Sequence, residues 1–346
     1  MYHNARVRAK PDASTNSLYE AIRSNTLQPP TVGLFEPDLG TIDVVDVHQP
    51  VAGSRHGDTR SEPEVTAGEA RSQPAKTQRR QNLPAHATPF VGRNHELATI
   101  DRLLRTEPTC RLLTLVGPSG IGKTRLAVEA AFKAVEAYTD GAYLITLNDT
   151  SSVPMLIQAI ATTVGLELQR ATDPKIQLFE YLREKSMLLL LDNFENMLTH
   201  SEASGEEARQ SGEAFLTELI EQAPGVKILA TTIERLNVQT EWVLPVEGLA
   251  YPAIDGATEH VHTAIEADFP DSWQDYGAVH FFIMHLERMH PDNRIEHSDQ
   301  VAIIKICQMV EGSPLALELA AAWTRVMPLA DIAAEIYHDL MFLPVT

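Results

Sequence analysis

From residue 89 onward, short apolar runs alternate with stretches in which apolar side chains recur every three or four residues, as strands alternating with helices do. Arg111-Leu-Leu-Thr-Leu-Val116 reads as a strand, Thr124 to Tyr138 as a helix and Ala142-Tyr-Leu-Ile-Thr-Leu147 as the next strand, one βαβ unit. Val153 to Val164 and Lys175 to Arg183 carry helical spacing, and Met187 to Leu191 is an apolar run of strand length. Lys227-Ile-Leu-Ala-Thr231 and Trp242-Val-Leu-Pro-Val246 supply two further strands, while the polar stretch between Leu198 and Glu213 reads as a surface excursion. The order predicts an α/β domain, residues 89–250, built on a largely parallel sheet flanked by helices.

Past Tyr251 the strand signal ends and three helices are predicted, a helical lid over residues 251–346. Val279, Phe282, Ile283 and Leu286 form one apolar stripe, and Ile303, Ile306, Cys307 and Val310 form another. The third helix starts at Ser313-Pro314, a serine N-cap followed by proline at the first helical position, with Ala316, Leu319, Ala320 and Trp323 as its expected buried side. Residues 50–88 lack either periodicity and are rich in Gly, Ser, Thr, Pro and charge, the composition of a disordered linker. Residues 1–49 stay unassigned. Ser17 to Arg23 has the spacing of a short helix, and Thr31 to Phe35 and Thr41 to Val47 alternate like strands. Such pieces fit the end of a larger upstream module or an unordered tail equally well.

Charge sharpens the boundary. Ten basic and ten acidic side chains balance before residue 89, so the whole net charge of −19 falls on residues 89–346. An acidic surface of that size argues against direct nucleic-acid binding by this chain. No apolar run exceeds five residues, far short of the ~20 that cross a bilayer, and no secretory signal is visible, so the expected compartment is the cytoplasm. Cys110 and Cys307 are too few for a disulfide framework or a four-thiolate metal site. His280, His285 and His290 are five apart, which turns them around a helix and away from a shared zinc.

The chemistry lies in the first βαβ unit. Gly117-Pro118-Ser119-Gly120-Ile121-Gly122-Lys123-Thr124 matches G-x-x-x-x-G-K-[ST] between a predicted strand and a predicted helix. Its glycines let backbone N–H groups fold around phosphates at a helix N-terminus. Lys123 would reach the β- and γ-phosphates and Thr124 would offer its hydroxyl to Mg2+. Leu188-Leu-Leu-Leu-Asp192 is a buried strand ending in an acid, the Walker B pattern, with Asp192 as the expected magnesium ligand. The next residue is Asn193, so Glu195 is the nearest carboxylate able to polarise a water; it reads either as a catalytic base or as a solvated surface glutamate.

With both motifs located, residues 83–340 resemble the STAND class of P-loop ATPases, the NB-ARC-like modules of bacterial multidomain regulators. Asn82-Leu-Pro84 followed by Thr88-Pro-Phe-Val-Gly-Arg93 looks like the family lead-in, in which Val91, Gly92 and Arg93 would lie against the adenine. Asp192-Asn-Phe-Glu195 resembles the Walker B variant of bacterial members, and Thr231-Thr232 with Glu234-Arg-Leu236 resembles the sensor strand. Glu311-Gly-Ser-Pro-Leu-Ala-Leu-Glu-Leu-Ala320 resembles the Gly-x-Pro helix, whose Pro314 would pack by the nucleotide. The resemblance implies ATP/ADP and Mg2+ as ligands, held by these residues, by the P-loop with Arg125 beside it and by Thr232. It also implies a switch in which ATP hydrolysis governs self-association.

Two departures matter. Where the family carries an arginine after the paired Thr/Ser of the sensor strand, this chain has Ile233, which donates no hydrogen bond. The chain also stops at Thr346, so the winged helix, repeat sensor and DNA-binding effector expected of such regulators fall outside it, as in a fragment or truncated product. Two function classes stay open on this basis. One is an ATPase switch; the other is a nucleotide-binding scaffold with little hydrolysis, for which Ile233 and Asn193 are the reasons.

Overall fold

The computed structural model describes residues 81–199, 205–253, 272–290 and 295–342. The elements expected before Gln81 lie outside these residues. Five strands form one sheet in the order β2-β3-β4-β1-β5, with every neighbouring pair parallel. They are β1 (Leu112–Val116), β2 (Gly141–Thr146), β3 (Met187–Asp192), β4 (Val226–Thr232) and β5 (Glu241–Pro245). All six residues of β3 are buried, which is why its sequence is a continuous apolar run and not an alternation.

Helices cover both faces. Alternate residues of the central strands point to opposite sides, so Leu189, Leu191, Ile228 and Ala230 join one core. That core is completed by α3 (Val153–Val164), α4 (Pro174–Arg183) and α6 (Gly205–Gln222). Leu113, Leu115, Leu188, Leu190 and Leu229 join a second core under α1 (Asn94–Arg105) and α2 (Lys123–Ala134). A one-turn helix, α5 (Asn196–Thr199), follows β3. The excursion expected up to Glu213 is thus helical from Gly205, because Phe215, Leu216 and Leu219 anchor the same helix in the core and its polar first half continues it. Gln81–Thr88, the end of the segment read as linker, is tied to the sheet: Asn82 donates from Nδ2 to the Leu144 carbonyl (2.8 Å) and accepts the Leu144 N–H at Oδ1 (2.7 Å), taking the place of a strand on the outer edge of β2.

The C-terminal part contains four α-helices among the described residues, one more than the sequence pattern yields, preceded by a short 3-10 turn at Trp273–Asp275. These are α7 (Gly277–Met289), α8 (His297–Met309), α9 (Pro314–Trp323) and α10 (Leu329–Phe342). The stripes of α7 and α8 meet as expected through Val279, Phe282, Ile303, Ile306 and Cys307. On α9 the fully buried side is Leu317, Ala320 and Ala321, rotated from the expected Ala316, Leu319, Ala320 and Trp323. The reason is that α9 serves two neighbours, since Leu315 faces the glycine loop after β1 while Leu317 faces the helical core.

The sheet and the helical part join through backbone. Leu249 donates its N–H to the Gly312 carbonyl (2.8 Å), and a Cβ on Gly312 would overlap the Leu249 carbonyl oxygen. Gly312 also sits at φ +65, where an L-residue is strained. Gly165 offers a comparison, because its φ is +76 yet nothing lies within 4 Å of an added Cβ. Gly165→Ala is therefore expected to cost only the backbone term, about 1–2 kcal/mol, and Gly312→Ala at least twice as much. Urea unfolding of the two variants measures both; equal losses would show that the backbone contact at the junction contributes nothing.

Candidate functional site

The loop Gly117–Gly122 leaves the C-terminal end of β1 and turns into α2, with Gly120 at φ +76 and Gly122 at φ +94. Lys123 opens α2 and is buried, and its Nζ donates to the carbonyls of Gly117 (2.8 Å) and Pro118 (3.0 Å), so the amine lies across the mouth of the loop. Burial pushes the Lys123 amine below its ordinary range, against the pull of the Glu195 and Asp192 carboxylates. The next side chain, Thr124, donates from Oγ1 to Asp192 Oδ1 at 2.6 Å. The two motifs, 68 positions apart, thus meet in one hydrogen bond.

Asp192 is only 6% exposed and takes a second hydroxyl at the same oxygen, from Thr231 Oγ1 at 2.7 Å. Sequence reasoning places Thr231 in the sensor strand but assigns the ligand contact to Thr232 and gives Thr231 no contact with Asp192. Thr232 meets the loop only through its backbone carbonyl, which accepts the Gly117 N–H at 3.3 Å, while its Oγ1 accepts the Glu234 N–H at 3.4 Å. Asn193 takes φ +61, and its Nδ2 donates to Asn148 Oδ1 at 2.6 Å, which turns the chain so that Glu195 faces the loop. Glu195, Ser119, Asn193 and Ile233 line an open cavity of about 580 Å³. Burial pushes the Glu195 carboxyl up; its own and Ile233's backbone N–H groups and the Lys123 charge oppose this, while Asp192 adds to it. The Ile233 side chain is half exposed in this cavity and, being apolar, adds no donor beyond its own backbone N–H.

A second cavity, about 280 Å³, lies on the other side of the loop. It gathers residues from distant parts of the sequence: Val91 and Arg93 from the lead-in, Ile121, Gly122 and Arg125 from the loop and α2, and Pro314 from α9. Arg93, at φ +62, donates to the Ile121 carbonyl (3.1 Å) and to Glu96 (3.0 Å), which locks the lead-in onto the loop. Gly92 lies against Gly277 and Leu249, where a side chain would press on Leu249. Arg125 donates to the Thr88 carbonyl (2.6 Å) and stands over the Phe90 ring, while its buried Nη1 has no hydrogen-bond partner. Phe281 and His285 of α7 complete the wall without any sequence signal, since both lie beside the apolar stripe of that helix and not in it. The helical part touches the loop itself through the Leu315 N–H, which donates to the Gly120 carbonyl at 3.2 Å.

The residues fit a nucleotide and its cation. Two hydroxyl and carboxylate oxygens beside a lysine suit Mg2+, which takes one or two protein oxygens and otherwise uses phosphate and water. The left-handed backbone at Gly120 and Gly122 brings the loop round to the N-terminus of α2, where partial positive charge favours an anion. Among the described residues no helix is long and apolar enough to cross a membrane.

Residues 89–237 match the family model described as an AAA ATPase domain. An uncharacterized protein of Mycobacterium tuberculosis, Rv0894, is 28% identical over 254 residues, 72% of this chain and 54% of its own. The chain therefore spans about half the length of this relative. A second protein of that organism, named "Putative HTH-type transcriptional regulator Rv0890c", is 27% identical over 225 residues, 64% of this chain and 21% of its own. Among solved structures, the STAND protein with a tetratricopeptide repeat sensor from Pyrococcus horikoshii overlaps 74% of this chain and 33% of its own at 15% identity and a TM-score of 0.42. Cdc6p from Pyrobaculum aerophilum overlaps 75% and 73% at 16% identity and a TM-score of 0.48. The sheet and its loop have the P-loop NTPase fold, and the AAA ATPase domain match implies that this part of the chain binds nucleotide.

The raised Glu195 carboxyl gives a test with a definite sign. The folded state holds the extra proton between the unfolded and folded pKa, so stability falls as pH rises through that window and the deficit persists above it. Glu195→Gln is expected to melt higher than the wild type at pH 7.5, with the difference shrinking towards zero below the ordinary glutamate pKa of about 4.3. Thermal melts at the two pH values measure this; a difference independent of pH would mean that the carboxylate carries no burial cost.

Proposed function

We propose that residues 89–250 and 251–346 form an ATP/ADP-binding switch of the STAND, NB-ARC-like kind, in which Mg2+-dependent ATP hydrolysis changes how the helical part sits on the loop and thereby governs self-association. The observation that carries it is the Thr124–Asp192 hydrogen bond beside the Lys123 amine, at a loop whose Gly120 carbonyl is held by the helical part. In this reading Lys123 gives up the Gly117 and Pro118 carbonyls for the β- and γ-phosphates. Thr124 and Asp192 hold the cation, which when bound offsets phosphate charge during transfer. Glu195 orients the attacking water and takes its proton, a role suited to a carboxyl whose pKa burial has raised. Val91, Gly92, Arg93, Ile121, Arg125 and Pro314 enclose the base, and Ser119, Gly120 and Gly122 approach the phosphates. We place the protein in the cytoplasm, as the signal-transduction part of a transcriptional regulator that contacts nucleic acid, if at all, outside this chain.

A second reading, a regulatory scaffold that holds nucleotide and scarcely hydrolyses it, draws support from Ile233. An apolar side chain lines the cavity where a guanidinium would have met the γ-phosphate. Such a site distinguishes ATP from ADP poorly, because discrimination needs contacts present in only one state.

Calorimetric titration of the full chain with ATP and ADP tests the common ground: Lys123→Ala should remove most affinity for both, and equal binding by wild type and variant would remove the P-loop assignment. Single-turnover hydrolysis separates the two readings. Ile233→Arg should raise the rate and widen the ATP/ADP affinity gap; a transition-state arginine supplied in trans is worth ~10^3 or more, and one in this position less. A wild type already as fast as ordinary P-loop ATPases would eliminate the scaffold reading.

A further inference from the structure

Two hydroxyls meet Asp192 Oδ1, and they come from different elements: Thr124 from the start of α2 and Thr231 from the end of β4. Thr231 is almost wholly buried and makes three bonds around the same turn. Its Oγ1 donates to Asp192 (2.7 Å) and accepts the Asn193 N–H (3.0 Å), and its carbonyl accepts the Phe194 N–H (2.9 Å). Its place in the sheet explains this. The β3–β4 register ends at Leu191↔Ala230, so the next pair has no ladder, and the Thr231 side chain and carbonyl take over there. On its other side Thr231 is paired with Leu115 of β1, the strand that carries the P-loop.

We infer that Thr231 is the positioning residue of the cation site: it fixes the Asp192 carboxylate for Mg2+ and the Asn193 turn that aims Glu195. This rests on the reading of Thr124 and Asp192 as the Mg2+ residues. Under that reading Thr124 must turn an oxygen lone pair to the cation, so its grip on Asp192 changes when the ion arrives. Thr231 has no second duty. Its hydroxyl donates to the carboxylate and accepts the Asn193 amide, neither of which requires it to face the ion, so among the described residues it is the hydroxyl left to hold Oδ1 while Thr124 reorients. A purely structural threonine would satisfy the same buried groups without any link to the cation, and the two roles separate by measurement.

The test uses the full chain with Thr231→Val, which keeps the β-branched shape and removes the hydroxyl, and Thr231→Ser, which keeps the hydroxyl. The affinity of a non-hydrolysable ATP analogue is measured by calorimetry with excess Mg2+ and again with EDTA. Losing an outer partner of a metal-binding group costs ~10- to 100-fold in metal affinity. Thr231→Val is therefore expected to lose about tenfold of the Mg2+-induced tightening, with EDTA affinity within about twofold of wild type, and Thr231→Ser to restore it. Should Thr231→Val not fold, Thr231→Cys, whose thiol is a weak donor, should show the same loss in part. Full Mg2+-induced tightening in the folded Val or Cys variant overturns the role of Thr231, even if its melting temperature falls. A wild type whose affinity is the same with Mg2+ and EDTA overturns the cation reading of Thr124 and Asp192 itself, and the inference with it.

Discussion

A carboxyl group at the end of a fully buried strand needs hydrogen-bond donors around it, because burying a polar group without partners costs free energy. Asp192 is in that position, and its two hydroxyl partners dictate much of what lies nearby. Thr124 reaches it only if α2 starts immediately after Gly122, and this start depends on the positive φ angles of Gly120 and Gly122. Thr231 reaches it only if β4 lies between β3 and β1. That placement requires the chain to leave β1, cross to the far edge for β2 and return strand by strand. The crossover from β4 over β1 to β5 then opens a crevice at the carboxyl ends of the strands, the place where open α/β sheets bind ligands.

The helical part adds the second wall. It is joined to the sheet at Leu249–Gly312, where glycine is needed because the backbones touch, and it meets the loop at Leu315 and Pro314. One helix, α9, therefore divides its surface between a core of its own and the glycine loop. Such a helix cannot be optimised for either neighbour alone, and its lower burial of Ala316, Leu319 and Trp323 is the consequence.

How much of this is legible in the sequence follows from which interactions are local. Strand β3 and the loop after β1 are readable because burial on both faces and a tight phosphate-sized turn each impose a strict residue pattern over a few positions. Thr231 is not readable: adjacent threonines at a strand end look alike, and only the register, which ends at Leu191↔Ala230, decides that the first faces Asp192 and the second does not. His285 and Phe281 are hidden for a related reason, since they flank the apolar stripe of α7, and the spacing of that stripe does not tell whether the flanking face meets solvent or a cavity. Asn82 lies inside a polar, proline-rich segment, and nothing in its composition tells that its amide replaces a strand on β2. The polar half of α6 reads as an excursion because its anchor, Phe215 to Leu219, lies downstream of the polar residues themselves.

The size of the contacts bounds what a nucleotide can do to the helical part. A neutral hydrogen bond such as Leu315 to Gly120 has a net worth of about 1 kcal/mol, whereas moving a two-state equilibrium from 1:99 to 99:1 takes about 5.5 kcal/mol of differential binding. A phosphate that merely strengthened or broke this bond would shift the balance only about fivefold. A full switch of the proposed kind would therefore have to recruit the second cavity, where lead-in, loop and α9 share one wall. The buried, unpartnered Nη1 of Arg125 lies in that wall, and satisfying it recovers a desolvation cost of about 1–3 kcal/mol or more for a charged group. On these magnitudes the second cavity, with its unpartnered Arg125 Nη1, offers a ligand more free energy to hold the two parts together than the single Leu315–Gly120 bond does.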